Sequence, residues 1–197
     1  MATDRRTLIL SAAQQLFQEK GLGRSTMEDV AKAAGMGKSS LYYYFKSKEE
    51  IFDAVLEAEV GDVLQESIRQ MSRQSGLLAK LSAFATVKFD MARKRKSLYG
   101  ATEAGMDAEA LSRYQTLKKE VHKRYLQKET VLLQQLLVTA GADQEIRELG
   151  PEGLDNAVFV FLAALRGINR EITLHWKAEE APGRLTAFCE LFYKGLS

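Results

Sequence analysis

Apolar residues recur at helical spacing from the start of the chain. Leu8, Ile9, Ala12, Ala13, Leu16 and Phe17 fall on one side of a helix, and Gly21 stops the pattern. The spacing predicts a first helix over about 4–20. Met27, Val30, Ala31 and Ala34 give a second helix one apolar face. Thr26, three residues before Asp29, echoes a capping box, and Gly35 is placed to end this helix in the left-handed conformation. Leu41 and Phe45, four apart, give a third helix over about 38–45 an inward side. Ser47 and Glu50, in the run S-K-E-E, form a capping box that opens a fourth.

The period stays helical beyond residue 48, and no run of alternating β-branched residues reads as a strand. Helices are expected over about 48–73 and 77–95, followed by the glycine-interrupted stretch SLYGATEAGMD. Residues 108–140 contain neither Gly nor Pro and keep one apolar stripe, so they read as one long helix ended by Gly141. Gly150-Pro151 opens another helix, to about 177, and Pro182-Gly183 opens the last. The fold class expected is all-α. An N-terminal three-helix domain over 1–47 precedes a helical bundle over 48–197.

Composition narrows the chemistry. Hydrophobic residues make up 46% of 197, enough for a buried core, and both prolines, Pro151 and Pro182, lie late in the chain. One cysteine, Cys189, excludes an internal disulfide, and His122 and His175 leave little material for a metal site. His122 falls in a charge-rich face, and Cys189 reads as a small buried hydrophobe. There is no Gly-rich phosphate loop and no spaced Ser/His/Asp set, so no enzyme, cofactor or metal is expected. The first 20 residues space their apolar positions between Gln, Glu and Lys, and no apolar run reaches about 18 residues. Neither a secretory signal nor a membrane span is expected, and the location expected is cytoplasmic.

Charge is uneven. Residues 1–48 hold eight basic and four acidic side chains, while the whole chain carries only +2. A cationic front on a mildly acidic body points to an anionic partner for the front. Arg93-Lys94-Arg95-Lys96 ends a helix, where cations suit the dipole.

The second and third helices are separated only by Gly35-Met36-Gly37, which is the helix-turn-helix arrangement. Its second helix is the one that can enter a DNA major groove. That helix begins GMGKSSLYYYFKSK, polar first and then aromatic. Lys38, Ser39 and Ser40 open it where base edges are read; Lys38 can donate to guanine and Ser39 to several bases. Lys48 starts the fourth helix, whose free N–H groups suit a phosphate.

The segment STMEDVAKAAGMGKSSLYYYFKSKEEIFDAV, residues 25–55, resembles the helix-turn-helix of the TetR (tetracycline repressor) family. Thr26, Met27, Val30, Ala31, Ala34, Gly35, Met36, Leu41, Tyr42, Tyr44, Phe45, Ser47 and Lys48 fit the family pattern. Gly37 stands where the family usually has Ser, and Ser39 where it usually has Gly. Loss of the serine removes a cap from the third helix at a cost of a few tenths of a kcal/mol. The resemblance implies that Tyr42 touches a base, that Tyr43 holds a phosphate, and that Thr26 holds another. It implies double-stranded DNA as partner, as a palindromic operator with half-sites about 34 Å apart.

The resemblance further implies a homodimer joined through the last two helices. Phe161, Leu165, Ile168, Phe188 and Phe192 are the interface residues expected, with Ala157, Ala163, Ala164 and Gly167 permitting close approach. It also implies a small-molecule effector, hydrophobic or aromatic, enclosed by the middle helices. Phe84, Phe89, Tyr99, Met106, Tyr125, Phe159 and Trp176 are the candidate lining, although each reads more readily as plain core. The implied function is a repressor released by its effector. An activator of the same fold, or a helical adaptor without DNA binding, is the alternative.

Overall fold

The computed structural model describes residues 4–102, 106–175 and 177–197, with backbone only for 94–102 and 110. Among the described residues every regular element is helical. In chain order they are α1 (Arg5–Lys20), α2 (Met27–Ala33), α3 (Lys38–Tyr44), α4 (Lys48–Met71), α5 (Leu77–Thr102), α6 (Ala108–Ala142), α7 (Pro151–His175) and α8 (Ala181–Leu196). A 3₁₀ turn, Ala178–Glu180, leads into α8.

Local chemistry sets the ends. Asp4 caps α1 by accepting from the Arg6 backbone N–H. Thr26 and Asp29 form a full reciprocal box on α2, stronger than the sequence echo suggested. Gly35 ends α2 with φ 65°, and Met36 N–H returns to Ala31 C=O at 2.9 Å. Open space surrounds Gly35, so the backbone angle, not crowding, calls for glycine here.

Two boundaries differ from the sequence reading. α5 continues through Ser97–Thr102, because Gly100 alone costs a helix only about 1 kcal/mol. α6 passes through Gly141, and the left-handed closing position is taken by Gln144 at φ 61°. Glu145 N–H then reaches Ala140 C=O at 2.9 Å and Gln144 N–H reaches Gly141 C=O at 3.0 Å, a Schellman closure without glycine.

The chain divides into two compact units: residues 1–61 with 94–124, and residues 62–93 with 125–197. α4, α5 and α6 each contribute to both, so the division does not follow a linker. In the first unit, Ile9, Ala13 and Phe17 of α1, Val30 and Ala31 of α2, and Leu41 and Phe45 around α3 form a dry centre. Phe17 meets Phe52 edge-on at 5.8 Å, and Phe52 meets Tyr114 at 5.2 Å. Arg124 bridges Asp53 (3.1 Å) and Glu57, tying α6 to α4 within this unit. The hydrogen bond it gives Glu57 raises the Arg124 pKa further.

The second unit is built around Leu77, Leu81, Phe84 and Phe89 of α5, Leu133 and Leu137 of α6, Phe161 and Leu165 of α7, and Leu185 and Cys189 of α8. Burial pushes the Cys189 thiol up to about 11, so it remains a protonated apolar group. Glu145 accepts from the Leu77 N–H at 2.6 Å and so caps α5. Among the described residues no helix is long and apolar enough to cross a membrane.

Candidate nucleic-acid interface

α3 is only seven residues long, and its two sides differ sharply. Leu41, together with Phe45 just past the end of α3, is fully buried against α1 and α2. Lys38, Ser39, Ser40, Tyr42 and Tyr43 are exposed. Tyr42 keeps 46% of its surface in solvent and Tyr43 85%, while Tyr44 is half-buried and meets the Tyr43 ring edge-on at 5.3 Å. The tyrosine run is therefore divided by helix geometry. Positions 41 and 45 hold the helix down, and 42 and 43 face outward. Gly37 provides no side-chain cap for α3, as the missing serine implied.

Cations surround this face: Arg5, Arg24, Lys32, Lys38 and Lys46 are all exposed. Arg6, also exposed, lies over the Phe45 ring, 4.7 Å from its centre. Lys38 lies 3.7 Å from Glu28 of α2, a solvent-exposed pair. Thr26 is exposed at the start of α2, with its hydroxyl already donating to Asp29 at 2.8 Å. The Asp29 carboxyl is held at about 2 by hydrogen bonds from Lys20 first and then from Thr26.

Lys48 makes contacts that the sequence did not reveal. Its ammonium donates to the Leu22 carbonyl at 3.0 Å, to Ser25 at 3.1 Å and to Gly23 at 3.4 Å. The side chain is half-buried and clamps the α1–α2 loop to the start of α4. The capping box beside it is also displaced. Glu50 N–H donates to Ser47 Oγ at 3.1 Å, but the Glu50 carboxylate reaches the N–H of Lys46, one residue before Ser47. A lysine at the start of a helix that follows a three-helix turn was visible in sequence. The three carbonyls awaiting it were not.

The expected effector residues are divided between the two units. Phe84 and Phe89 are buried in the second unit, as is Tyr125. Met106 belongs to the first unit, where it lines an open cleft with Leu22, Phe52, Tyr114 and Leu117. Phe159 is 67% exposed on α7 and so is not lining for an enclosed site. The Tyr99 side chain and Trp176 lie outside the described residues. His175 is exposed, 3.9 Å from Glu171.

The expected dimer residues take part in packing within the chain. Phe161 and Leu165 are fully buried within one chain. Phe161 packs against Phe188 at 5.2 Å and Phe192 at 4.9 Å, with Phe188 and Phe192 half-buried beside it and Ile168 against the same core. These residues hold α7 to α8. The apolar residues left exposed are Phe159, Val160 and Leu174 on α7 and Leu191 on α8.

A buried-faced second helix, a three-residue turn and an exposed polar third helix define a helix-turn-helix protein. Residues 9–55 match the family model described as bacterial regulatory proteins, tetR family. The similarity to that family is carried by this N-terminal segment. The chain is 39% identical over 71 residues to the HTH-type transcriptional regulator YhgD of Bacillus subtilis, covering 36% of this chain and 37% of that one. It is 35% identical over 86 residues to the HTH-type transcriptional repressor KstR2 of Rhodococcus jostii, covering 44% and 42%. The match thus spans only about two fifths of the length of these relatives. Among solved structures, the flavonoid-responsive regulator FrrA superposes with a TM-score of 0.67 at 26% identity, over 97% of this chain and 96% of that one.

Proposed function

We propose that this chain is a DNA-binding transcriptional regulator that works as a homodimer on a palindromic operator. The observation that carries the reading is the two-sided α3: Leu41 and the following Phe45 locked inward, Lys38, Ser39, Ser40, Tyr42 and Tyr43 outward. A helix fixed by its apolar side and polar on the other is what major-groove reading requires. The net positive front supplies the sequence-independent attraction to phosphate. Exposed Phe159, Val160, Leu174 and Leu191 on the last two long helices support a partner chain covering that surface.

The sign of regulation is repression, by analogy with the KstR2 repressor that the head resembles. Release is by a small aromatic effector, by analogy with the flavonoid-responsive FrrA, which is similar over nearly its whole length. The body then acts as a sensor without catalysis, and the location is the cytoplasm, where the operator is. An activator would use the same head.

The test is fluorescence anisotropy of the purified chain on the DNA flanking its own gene, across a salt series, with Tyr42→Ala beside it. Selective, nanomolar binding that Tyr42→Ala weakens is the expected result. Each neutralised phosphate contributes about 0.9 to the slope of log affinity against log salt. Equal, weak binding to that DNA and to a random duplex removes the reading.

A further inference from the structure

The second unit contains a charged cluster that its apolar core does not require. Glu129 on α6 is fully buried, at 0% exposure. Its Oε1 lies 2.6 Å from the Lys88 ammonium of α5, and among the described residues its Oε2 meets no hydrogen-bond donor. Lys88 also donates to the Tyr125 hydroxyl at 3.0 Å and lies 4.3 Å from the centre of the Tyr125 ring. Tyr125 and Glu129 stand one turn apart on α6 and address the same neighbour. All three residues belong to one compact unit.

Physical chemistry disfavours this arrangement unless something completes it. A buried ion pair is at best neutral beside apolar residues of the same volume, and an unpartnered buried carboxylate oxygen adds a further penalty. Ser67 Oγ and Asn169 Oδ1 of the same unit are also buried without a partner. At Glu129 Oε2 and Asn169 Oδ1 the missing partner is a donor, because a carboxylate or amide oxygen only accepts. The Lys88–Glu129 pair is internally neutral, so an added cation would meet the ammonium and an added anion the carboxylate. A neutral O–H meets neither objection. The flanking residues on α5, Phe84 one turn before Lys88 and Phe89 next to it, are buried and aromatic.

We propose that Lys88, Tyr125 and Glu129 form the polar anchor of the effector site, and that the effector is a neutral aromatic molecule whose hydroxyl donates to Glu129 Oε2. The proposal rests on the reading of the body as a sensor. It adds the chemistry the sensor selects for: a phenol, with its hydroxyl free.

Calorimetry on the full chain without DNA tests it. The probes form a series from phenol to a hydroxylated three-ring flavone, each beside its methyl ether. A phenol that binds roughly tenfold or more tightly than its ether is the expected result, since a hydrogen bond to a charged acceptor is worth about that factor. The paired substitution Lys88→Met with Glu129→Leu removes both charges together, which a core tolerates. A thermal midpoint at or above the wild-type value confirms that it folds, and it should bind phenol and ether alike. Glu129→Gln, which keeps the shape and loses the charge, should give an intermediate preference. Three results would each overturn the proposal: no binding across the series, equal binding of phenol and ether to the wild type, or a preference that survives in the paired variant. Operator binding by the wild type is measured separately. A chain that selects phenols yet binds no operator keeps the anchor and loses the regulator; the reverse loses only the anchor.

Discussion

The Lys48 ammonium reaches back 26 residues to the carbonyl of Leu22, at 3.0 Å, and takes Ser25 in the same grip. Ser25 immediately precedes Thr26, the cap of α2, so a cation at the start of α4 fixes where α2 begins. That makes Lys48 a positioning residue for the reading head. Lys48→Met should lower the stability of the chain by roughly 1.5–3 kcal/mol, the range for a hydrogen-bonded charged group. It should weaken operator binding while leaving the salt slope at its wild-type value. A phosphate contact would instead lower that slope by about 0.9. Parallel salt titrations of the two proteins decide between the roles.

Asp29 links Lys20 of α1 to the Thr26 cap, through bonds of 2.7 Å to the ammonium and 2.8 Å to the hydroxyl. These hold its folded-state pKa at about 2, below the ordinary 3.8. A depressed carboxyl stabilises the fold fully above its unfolded pKa, and that contribution fades as pH falls from 3.8 toward 2. Asp29→Asn should therefore lower the thermal midpoint at neutral pH and flatten its fall across that acid window. Melting curves collected at steps through the window provide the check. An Asp29→Asn profile parallel to the wild type would mean that other carboxylates govern acid unfolding.

The head was legible because its rules are local. Leu41 and Phe45 are four apart and adjoin a three-residue turn, so the sequence alone placed them inward and Tyr42 outward. Gly35 required a left-handed angle and took one. The Lys48 clamp was not legible because its partners are carbonyls of a loop more than 20 residues earlier, and carbonyls leave no trace in side-chain identity. The inner edge of α7 was not legible for a different reason. Apolar residues occupy more than half of its turn, at 158, 159, 160, 161, 162 and 165, so periodicity does not say which edge faces α8. Only packing of Phe161 against Phe188 and Phe192 resolves it. Gln144 shows the same limit on a smaller scale. A glycine stood three residues before the left-handed position, and the helix passed through it.

Phe159 and Phe161 stand two apart on α7 and separate core from surface. Phe161 is fully buried among Phe84, Phe188 and Phe192. Phe161→Ala should cost about 3–5 kcal/mol through the cavity it leaves, seen as a large drop in thermal midpoint. Phe159 is 67% exposed, and Leu191 on α8 is 72% exposed. Phe159→Asp should leave each chain folded, with its helical signal intact, and shift the sedimenting species from dimer to monomer. If Phe159→Asp sediments as the wild type does, this surface does not carry the proposed dimer.

Lys38 and Glu28 are 3.7 Å apart across the α2–α3 turn, both in solvent. Such a pair adds little to stability, but it places a carboxylate beside the first residue of the reading helix. DNA phosphate approaching that face meets Glu28 as a like charge and Lys38 as an attraction already partly neutralised. Glu28→Gln should therefore raise operator affinity by a few-fold at low salt, with the gain fading as ions screen the charge. Lys38→Ala should lower affinity, and more for the operator than for a random duplex if the ammonium reads a guanine edge. Anisotropy titrations of both variants on both duplexes separate three cases. A gain for Glu28→Gln with an operator-selective loss for Lys38→Ala places both residues at the base edges. Equal changes on both duplexes place them at the backbone. No change in either variant would move the DNA-facing surface away from the start of α3 and toward Tyr42 and Tyr43.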